Sequence, residues 1–406
     1  MTDDDRQPVS AAAAGQAPPS ENHDGIEIEP AVLVWARKSI GLDEERAAKK
    51  VGVVVGTLQK WEAGDAAPNL SQLRKLATAY KRPLAVLLLP APAKDFDVLR
   101  DFRSGPDRER GVQSPELTAE YWRAMSQRDV VLEIGDLGAG LDEPPQLPRL
   151  ALDTPDEDAG EILRGWLDLP SSRAKPGQGL VEWIDAAESH GILVVQTRGV
   201  PPSEMSGFSV SEFPYPIVAL NGSDVPRRRL FTLAHEMAHL ALNAGGLCDL
   251  HEDREPKELE DQIELYCNRV AAAALMPLDL LAHIREFGLA KAGTQWTPEQ
   301  LERLAAPFGT SAESMLLRLI RLDKATWELY WALKPSFEEA YAAARVKQKA
   351  SEGGPSFYAV KARDLGPGYV RTVLDAFRGR TISSLDVADY LDVRFEQIPK
   401  LEQAAR

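Results

Sequence analysis

Cysteine is nearly absent from this chain. Its 406 residues hold two, Cys248 and Cys267, too few for a disulfide framework, so buried free thiols are the expectation for both. Aromatic side chains are also scarce, at 7%, which leaves the cores to aliphatic residues. Basic residues fall short of acidic ones, 47 against 62, and the formal charge of −15 argues against a protein that coats nucleic acid without specificity, although a local basic surface remains open. No long uninterrupted apolar run is present. The stretch 270–282 is broken by Pro277 and Asp279, and the amino terminus opens on Asp3, Asp4 and Asp5 rather than on the basic start of a signal peptide. We therefore expect no membrane span and a cytoplasmic location. What the chain does have is a hydrophobic content of 44% over a length too great for one ordinary domain, so two to four modules are expected.

Histidines are few as well, six in all, which gives weight to the two that stand four apart in Phe231-Thr-Leu-Ala-His-Glu-Met-Ala-His-Leu-Ala-Leu-Asn243. On a helix, His235 and His239 share one face and their nitrogens can converge on one ion. Glu236 lies at the edge of that face, placed to act on a water without joining the ligands. The pentapeptide alone also fits a solvated face or a satisfied core pair, and a zinc site needs at least three protein ligands. The metzincin continuation is excluded, because Leu242 and Gly245 stand where its glycine and third histidine belong. A later helix offers the other solution. In Ile263-Glu-Leu-Tyr-Cys-Asn-Arg-Val-Ala-Ala-Ala-Ala-Leu-Met-Pro277, Glu264 and Asn268 project from one face before Pro277 stops the helix.

At these residues the chain resembles the ImmA/IrrE metallopeptidases, over about 190–320, which read Phe-Thr-Leu-Ala-His-Glu-x-x-His-Leu and then Glu-x-x-Cys/Ala-Asn-x-x-Ala-Ala-x-x-Leu-Met/Val-Pro. The resemblance implies a zincin-like domain with metal ligands His235, His239 and Glu264, Glu236 as general base, and zinc as cofactor, with manganese the other ion this donor set accepts. It also implies a protein substrate, a helix-turn-helix repressor or antitoxin cleaved in a stress or DNA-damage response. The residues before the HExxH helix read as β-branched strands, Ile192–Thr197, Gly207–Val210 and Pro216–Asn221. An edge strand of such a sheet can pair with an extended peptide; which strand forms that edge is not legible.

Residues 1–24, rich in Ala, Pro, Gly and acids, are expected to be a disordered leader. From 25 to 92 the period is helical. Ala48, Gly52, Leu58 and Trp61-Glu62-x-Gly64 follow helix-turn-helix grammar: a small residue for close packing, a glycine for the turn four later, and apolar anchors on the second helix. This stretch resembles the XRE-type domain common at the amino terminus of long ImmA/IrrE proteins. Between Pro30 and Pro90, ten Lys and Arg face five Asp and Glu, which suits phosphate contact. The recognition helix, however, begins on Val53-Val-Val-Gly56 where a polar cap and base-reading side chains are usual. Only Thr57, Gln59 and Lys60 reach a groove in this reading, and protein docking or self-association competes with DNA for the module.

Residues 93–160 read as a linker and helical connector, with Ser114 capping a helix that has Pro115 in its first turn. The peptidase domain is placed at 161–345 and a C-terminal helical, helix-turn-helix-like domain at 355–406 behind Gly353-Gly354-Pro355. The turn grammar recurs in both: Ala305 and Gly309 with Met315 and Arg318, then Ala388 and Asp392 with Ile398 and Leu401. Aspartate tolerates a left-handed turn less well than glycine, so the third copy is the weakest. His23, His190, His251 and His283 are scattered, and Tyr266 is an oxyanion donor only if its side chain turns inward beside Glu264. The fold expected is α+β and multi-domain: an all-α helix-turn-helix domain, a central zincin-like domain with a small sheet, and a C-terminal helical domain. The function expected is a zinc-dependent endopeptidase acting on a helix-turn-helix regulator, with DNA as a further partner of the amino-terminal domain and a homodimer as one assembly. The reading from another class is a DNA-binding transcription regulator whose peptidase fold is a sensor or dimerisation body.

Overall fold

The computed structural model describes residues 26, 28–80, 84–92, 100–101, 114–138, 146–170, 177–243, 246–248, 259–350 and 356–405. The expected leader 1–24, His23, His251 and the 353–355 linker lie outside the described residues. The chain divides into two compact units, Met1–Lys94 and Asp95–Arg406.

The first unit is a bundle of the helices Pro30–Lys38, Glu44–Val51, Val55–Ala63 and Leu70–Ala79, followed by a 3₁₀ turn at Leu84–Leu88. Local chemistry sets the boundaries. Asp43 caps the second helix by accepting from the Arg46 N–H at 2.7 Å, and Asn69 and Gln72 form a reciprocal capping box on the fourth. Gly52 ends the second helix at φ 78°, a conformation that costs a side-chain-bearing residue more than glycine. Leu58 and Trp61 then enter a core with Leu33, Ala48, Leu73 and Leu76. Glu62 accepts two hydrogen bonds from Arg37, each 2.7 Å, and both side chains are almost fully buried. That pair clamps the first helix to the third.

The second unit is built on a five-stranded sheet in the order β1-β5-β3-β4-β2, where β1 is Arg100–Asp101, β2 Leu193–Thr197, β3 Gly207–Val210, β4 Ile217–Asn221 and β5 Gly246–Cys248. β2 runs parallel to β4, β3 antiparallel to both β4 and β5, and β1 parallel to β5. The strand edges are thus β1 and β2. β2, β3 and β4 are buried along their whole length, because both faces of the sheet are covered there, which is also why they read as largely apolar runs.

Alternate residues feed two cores. On one face Val194, Val218 and Leu220 meet Leu230, Leu233, Ala234 and Met237 of the HExxH helix, Pro226–Ala241, together with Leu301, Leu304, Met315 and Leu319 of the helix pair Pro298–Ala305 and Ala312–Arg321. On the other, Val195, Phe208 and Ala219 meet Leu117, Ala124 and Val131 of the helix Pro115–Asp136, and Tyr369, Val370, Leu374, Ile398 and Leu401 of the tail. The tail helices of 356–405, expected as a module behind a linker, therefore supply one wall of the sheet. The reason is the sheet's second apolar face, which the helix Pro115–Asp136 covers only in part.

Candidate metal centre

The HExxH helix begins on Pro226, whose fixed φ suits a first helical position, and continues through Leu, Ala and Met residues. From Leu230 to Ala241 every side chain is buried. It is held between the sheet and a second helix, Leu259–Leu275, whose alanines at 271–274 permit close approach. A third helix, Asp156–Trp166, packs against that second one through Gly160, where an added Cβ would lie 2.8 Å from the Ala274 nitrogen.

This stacking brings the sequence-predicted ligands together. His235, His239 and Glu264 are buried, and their ligand atoms lie within 4.8 Å of one another. The Nε2 atoms of the two histidines are 3.0 Å apart; Glu264 Oε2 is 3.3 Å from His235 Nε2 and its Oε1 3.0 Å from His239 Nε2. Donors at bond lengths of about 2.0–2.1 Å around a tetrahedral ion are about 3.3 Å apart, so the donor set fits a single cation. The chemistry of the three groups fits as well. Burial pushes the Glu264 carboxyl up, but the two imidazoles outweigh it and hold the group well below the usual carboxylate range, leaving it ionised and ready to ligate.

Glu236 is fully buried. Burial raises its pKa, while His239, His235 and a hydrogen bond from Ser209 lower it in part. The Ser209 hydroxyl donates to Glu236 Oε2 at 2.8 Å. The outcome is a carboxylate more basic than one in water and fixed in orientation, which is what a general base needs. Cys267, also fully buried, hydrogen-bonds His239 and has its thiol pKa pushed up by burial. It serves as an orienting neighbour of a ligand and is too protonated to be a nucleophile. Tyr266 faces the other way: its hydroxyl donates to the Thr154 carbonyl at 3.0 Å, so it is not the oxyanion donor considered above.

Sequence reasoning missed two residues of this centre, both on β3. Ser209 orients the base. Gly207 lets the strand approach the helix, since a Cβ there would lie 2.5 Å from Thr232 Cγ2 and 2.9 Å from Glu236 Oε1. Gly207–Val210 was legible as a strand, but nothing local marked either residue as facing Glu236, which lies 27 residues beyond Ser209 in sequence.

The candidate DNA contacts lie on Val55–Ala63. Thr57 is half-buried and Lys60 exposed, while Gln59 donates through Nε2 to Glu44 Oε2 at 2.6 Å and is engaged within the unit. Val54, at the helix start, is 72% exposed and offers no side-chain cap. A basic groove lined by Lys50, Ser71, Arg74, Lys75 and Thr78 runs elsewhere on the same unit; four of these stand on the helix Leu70–Ala79, where they match no motif.

Comparison with known proteins agrees with this geometry. Residues 187–319 match the peptidase family model described as IrrE N-terminal-like domain, and residues 33–87 match Helix-turn-helix. The chain is similar to the radiation response metalloprotease IrrE of Deinococcus deserti, 33% identical over 148 residues, which cover 36% of this chain and 50% of that protein. It is also similar to the radiation response metalloprotease IrrE of Deinococcus radiodurans, 38% identical over 106 residues, 25% of this chain and 30% of that one. The match thus spans half or less of these curated relatives. No solved structure matches the chain. Among the described residues, no helix is long and apolar enough to cross a membrane.

Proposed function

We propose, for a chain that carries an amino-terminal helix-turn-helix domain and an IrrE N-terminal-like metallopeptidase domain, that it is a zinc-dependent endopeptidase acting on a regulatory protein. The observation that carries this reading is the convergence of His235, His239 and Glu264 beside a buried, oriented Glu236. Zinc, when bound there, supplies a Lewis acid that polarises a carbonyl and makes water acidic near neutrality. The protein's own residues do the rest. Glu236 takes the proton of the attacking water at its carboxylate and delivers it to the departing amide nitrogen. Ser209 keeps Oε2 from rotating away. The buried walls of the HExxH helix exclude bulk water. The substrate class is a helix-turn-helix repressor or antitoxin-like protein, and the response is one of stress, in keeping with the radiation response in the relatives' names.

The helix-turn-helix domain supports a second role, bringing the enzyme to such a repressor on DNA. Lys50, Arg74 and Lys75 suit phosphate contact, and Thr57 and Lys60 remain the base-side candidates. A transcription regulator with a peptidase body as sensor is the reading from another class, and the same domain match favours it. A body of that kind has no need of a base oriented by Ser209.

Elemental analysis of the purified chain tests the proposal. We expect about one zinc per chain, lost in His239→Ala and in Glu264→Ala. Glu236→Gln should keep the metal and abolish cleavage of the partner protein while leaving DNA occupancy intact. A chain without metal after zinc is offered, or a biological effect that survives Glu236→Gln, would move the assignment to the regulator.

A further inference from the structure

Beyond the metal centre, the described residues contain a second concentration of buried polar atoms, at the carboxyl ends of β2 and β4 where the HExxH helix begins. Arg229 lies on that helix six residues before His235 and is 93% buried, 7% exposed. Its Nη1 donates to Gln196 Oε1, while its Nε has no partner. Arg363, from the tail helix Phe357–Leu365, places Nη2 3.5 Å from where a Cβ added at Gly222 would lie; the burial of Arg229 and, after it, the charge of Arg363 weaken the hold of Arg229 on its proton, with Asp224 and Asp364 opposing them. Arg198 pairs with the fully buried Asp364 at 3.1 Å, and Arg363 pairs with the same carboxylate. Arg228 pairs with Asp224 at 3.3 Å, and Tyr341 donates to Asp224 at 2.9 Å. Arg345 lies over the Tyr341 ring, its Nε also without a partner.

Five arginines, at 198, 228, 229, 345 and 363, therefore face two aspartates, 224 and 364, an excess of three positive charges (5 − 2). Glu313 acts on Arg228 from further off, and Glu120 is taken by Arg123. Neither Arg229 nor Arg345 pairs with a carboxylate among the described residues, and the buried Thr197 hydroxyl is also without a partner. Charge of one sign is costly to bury unless something compensates it. In a chain of net charge −15, this excess points to an anion that enters. The positive end of the HExxH helix adds to it: 16 residues long, the helix starts on Val225 and Pro226 with no side-chain cap.

We propose that this corner binds a phosphate-bearing small molecule. Guanidinium forks match phosphate oxygens in pairs, and an excess of three charges suits a polyanion better than a single carboxylate. The floor of the site is too deep for a duplex backbone to reach, since Arg229 and Thr197 are buried. Arg198, Arg228 and Arg363, with side chains 46%, 28% and 32% exposed, form the rim by which a small ligand enters. The bound molecule joins three elements: the HExxH helix through Arg229, the tail through Arg363, and the long helix Trp327–Ala350 through Arg345. Ligand concentration then sets how firmly the metal-bearing helix is held against its neighbours.

The test is calorimetric titration of inorganic pyrophosphate into the full chain at low ionic strength. Wild type is compared with Arg363→Gln, Arg229→Gln and Glu264→Gln, and ATP is titrated in parallel. We expect one site per chain, affinity at least tenfold weaker in both arginine variants, and no change in Glu264→Gln, which separates this site from anion binding at the metal centre. Tighter binding of ATP than of pyrophosphate would identify a nucleotide as the ligand, and equal binding the phosphates alone. Should Arg229→Gln fail to fold, the half-exposed Arg363 carries the test. The proposal is overturned by the absence of saturable binding, by equal affinity in Arg363→Gln, by loss in Glu264→Gln alone, or by a DNA duplex that displaces the pyrophosphate.

Discussion

The helix pairs at 44–63 and 298–321 share one grammar and use it in opposite ways. Each has a small residue, Ala48 or Ala305, then a left-handed glycine four later, Gly52 at φ 78° or Gly309 at φ 68°, then anchors six and nine beyond. In the first pair the residue at plus nine is Trp61, which fills the core of its own small bundle, and the second helix keeps an outer face with Lys60 exposed. In the second pair it is Arg318. That guanidinium is buried, donates to the Met276 carbonyl at 3.2 Å, and grips Glu157 with both Nη atoms at 2.5 and 2.6 Å. The motif that stands alone at the amino terminus is, in the second unit, a brace binding the helix before the metal centre to the end of the Glu264 helix. A helix-turn-helix is thus a way to turn a chain, and what surrounds it decides whether it reads a partner or fills a core.

Substitutions can break this contrast. The largest effect is expected from Arg37→Met, which strands the buried Glu62 carboxylate and should cost the first unit about 3 kcal/mol; calorimetry should show the transition of that unit fall while the other stays. Arg318→Met should do the reverse, lowering the transition of the second unit by about 2 kcal/mol, less because Glu157 is partly exposed. If either variant moved both transitions equally, the separation of the two uses would be lost.

The third copy sharpens the comparison. Asp392 holds the turn at φ 47°, where glycine costs less, so Asp392→Gly is stabilising on backbone grounds. Its carboxylate, however, pairs at 2.6 Å with Lys361, which is 4% exposed. We expect the lost pair to win and Asp392→Gly to destabilise by about 1–2 kcal/mol in urea unfolding, whereas Gly52→Ala should cost about 1 kcal/mol through backbone strain alone. A more stable Asp392→Gly chain would show that the turn outweighs the pair.

A pH-dependent effect concerns Glu188, which ties the tail to the helix Gly179–Ser189. Burial raises its carboxyl to about 7, against the Gly368 N–H and Arg371, from an ordinary 4.5. The folded chain therefore binds this proton more tightly than the unfolded one. The resulting stability is full below pH 4.5 and is lost as the pH rises toward 7. Glu188→Gln should flatten thermal stability across that window and leave the amino-terminal unit unchanged, a result that scanning at pH 5, 6 and 7.5 would check.

Much of the metal centre was legible because its determinants are local. His235, Glu236 and His239 lie within one helical turn and a half, and Glu264 falls on the next helix at a face set by Asn268 and Pro277. The central strands were legible for a related reason: continuous β-branched runs are what a sheet covered on both faces requires. Ser209 and Gly207 were not, since their importance lies in what stands opposite them, and no pattern within β3 records the position of Glu236. The role of the tail was hidden likewise. Its amphipathic helices carry the same signal whether they close on themselves or on a sheet.

The sequence by itself determined which residues are the candidate ligands and base, the position of the turns, and the type of each major element, all properties of spacing along one segment of backbone. Only the tertiary structure decided that Ser209 fixes the base, that Arg318 braces and Trp61 packs, that Asp392 is tied to Lys361, and that five arginines converge beneath the start of the HExxH helix. Those outcomes depend on groups far apart in sequence meeting where at least one of each set is buried, as Lys361, Arg318 and Arg229 are, so that an unmatched charge or hydrogen bond is costly enough to choose the partner.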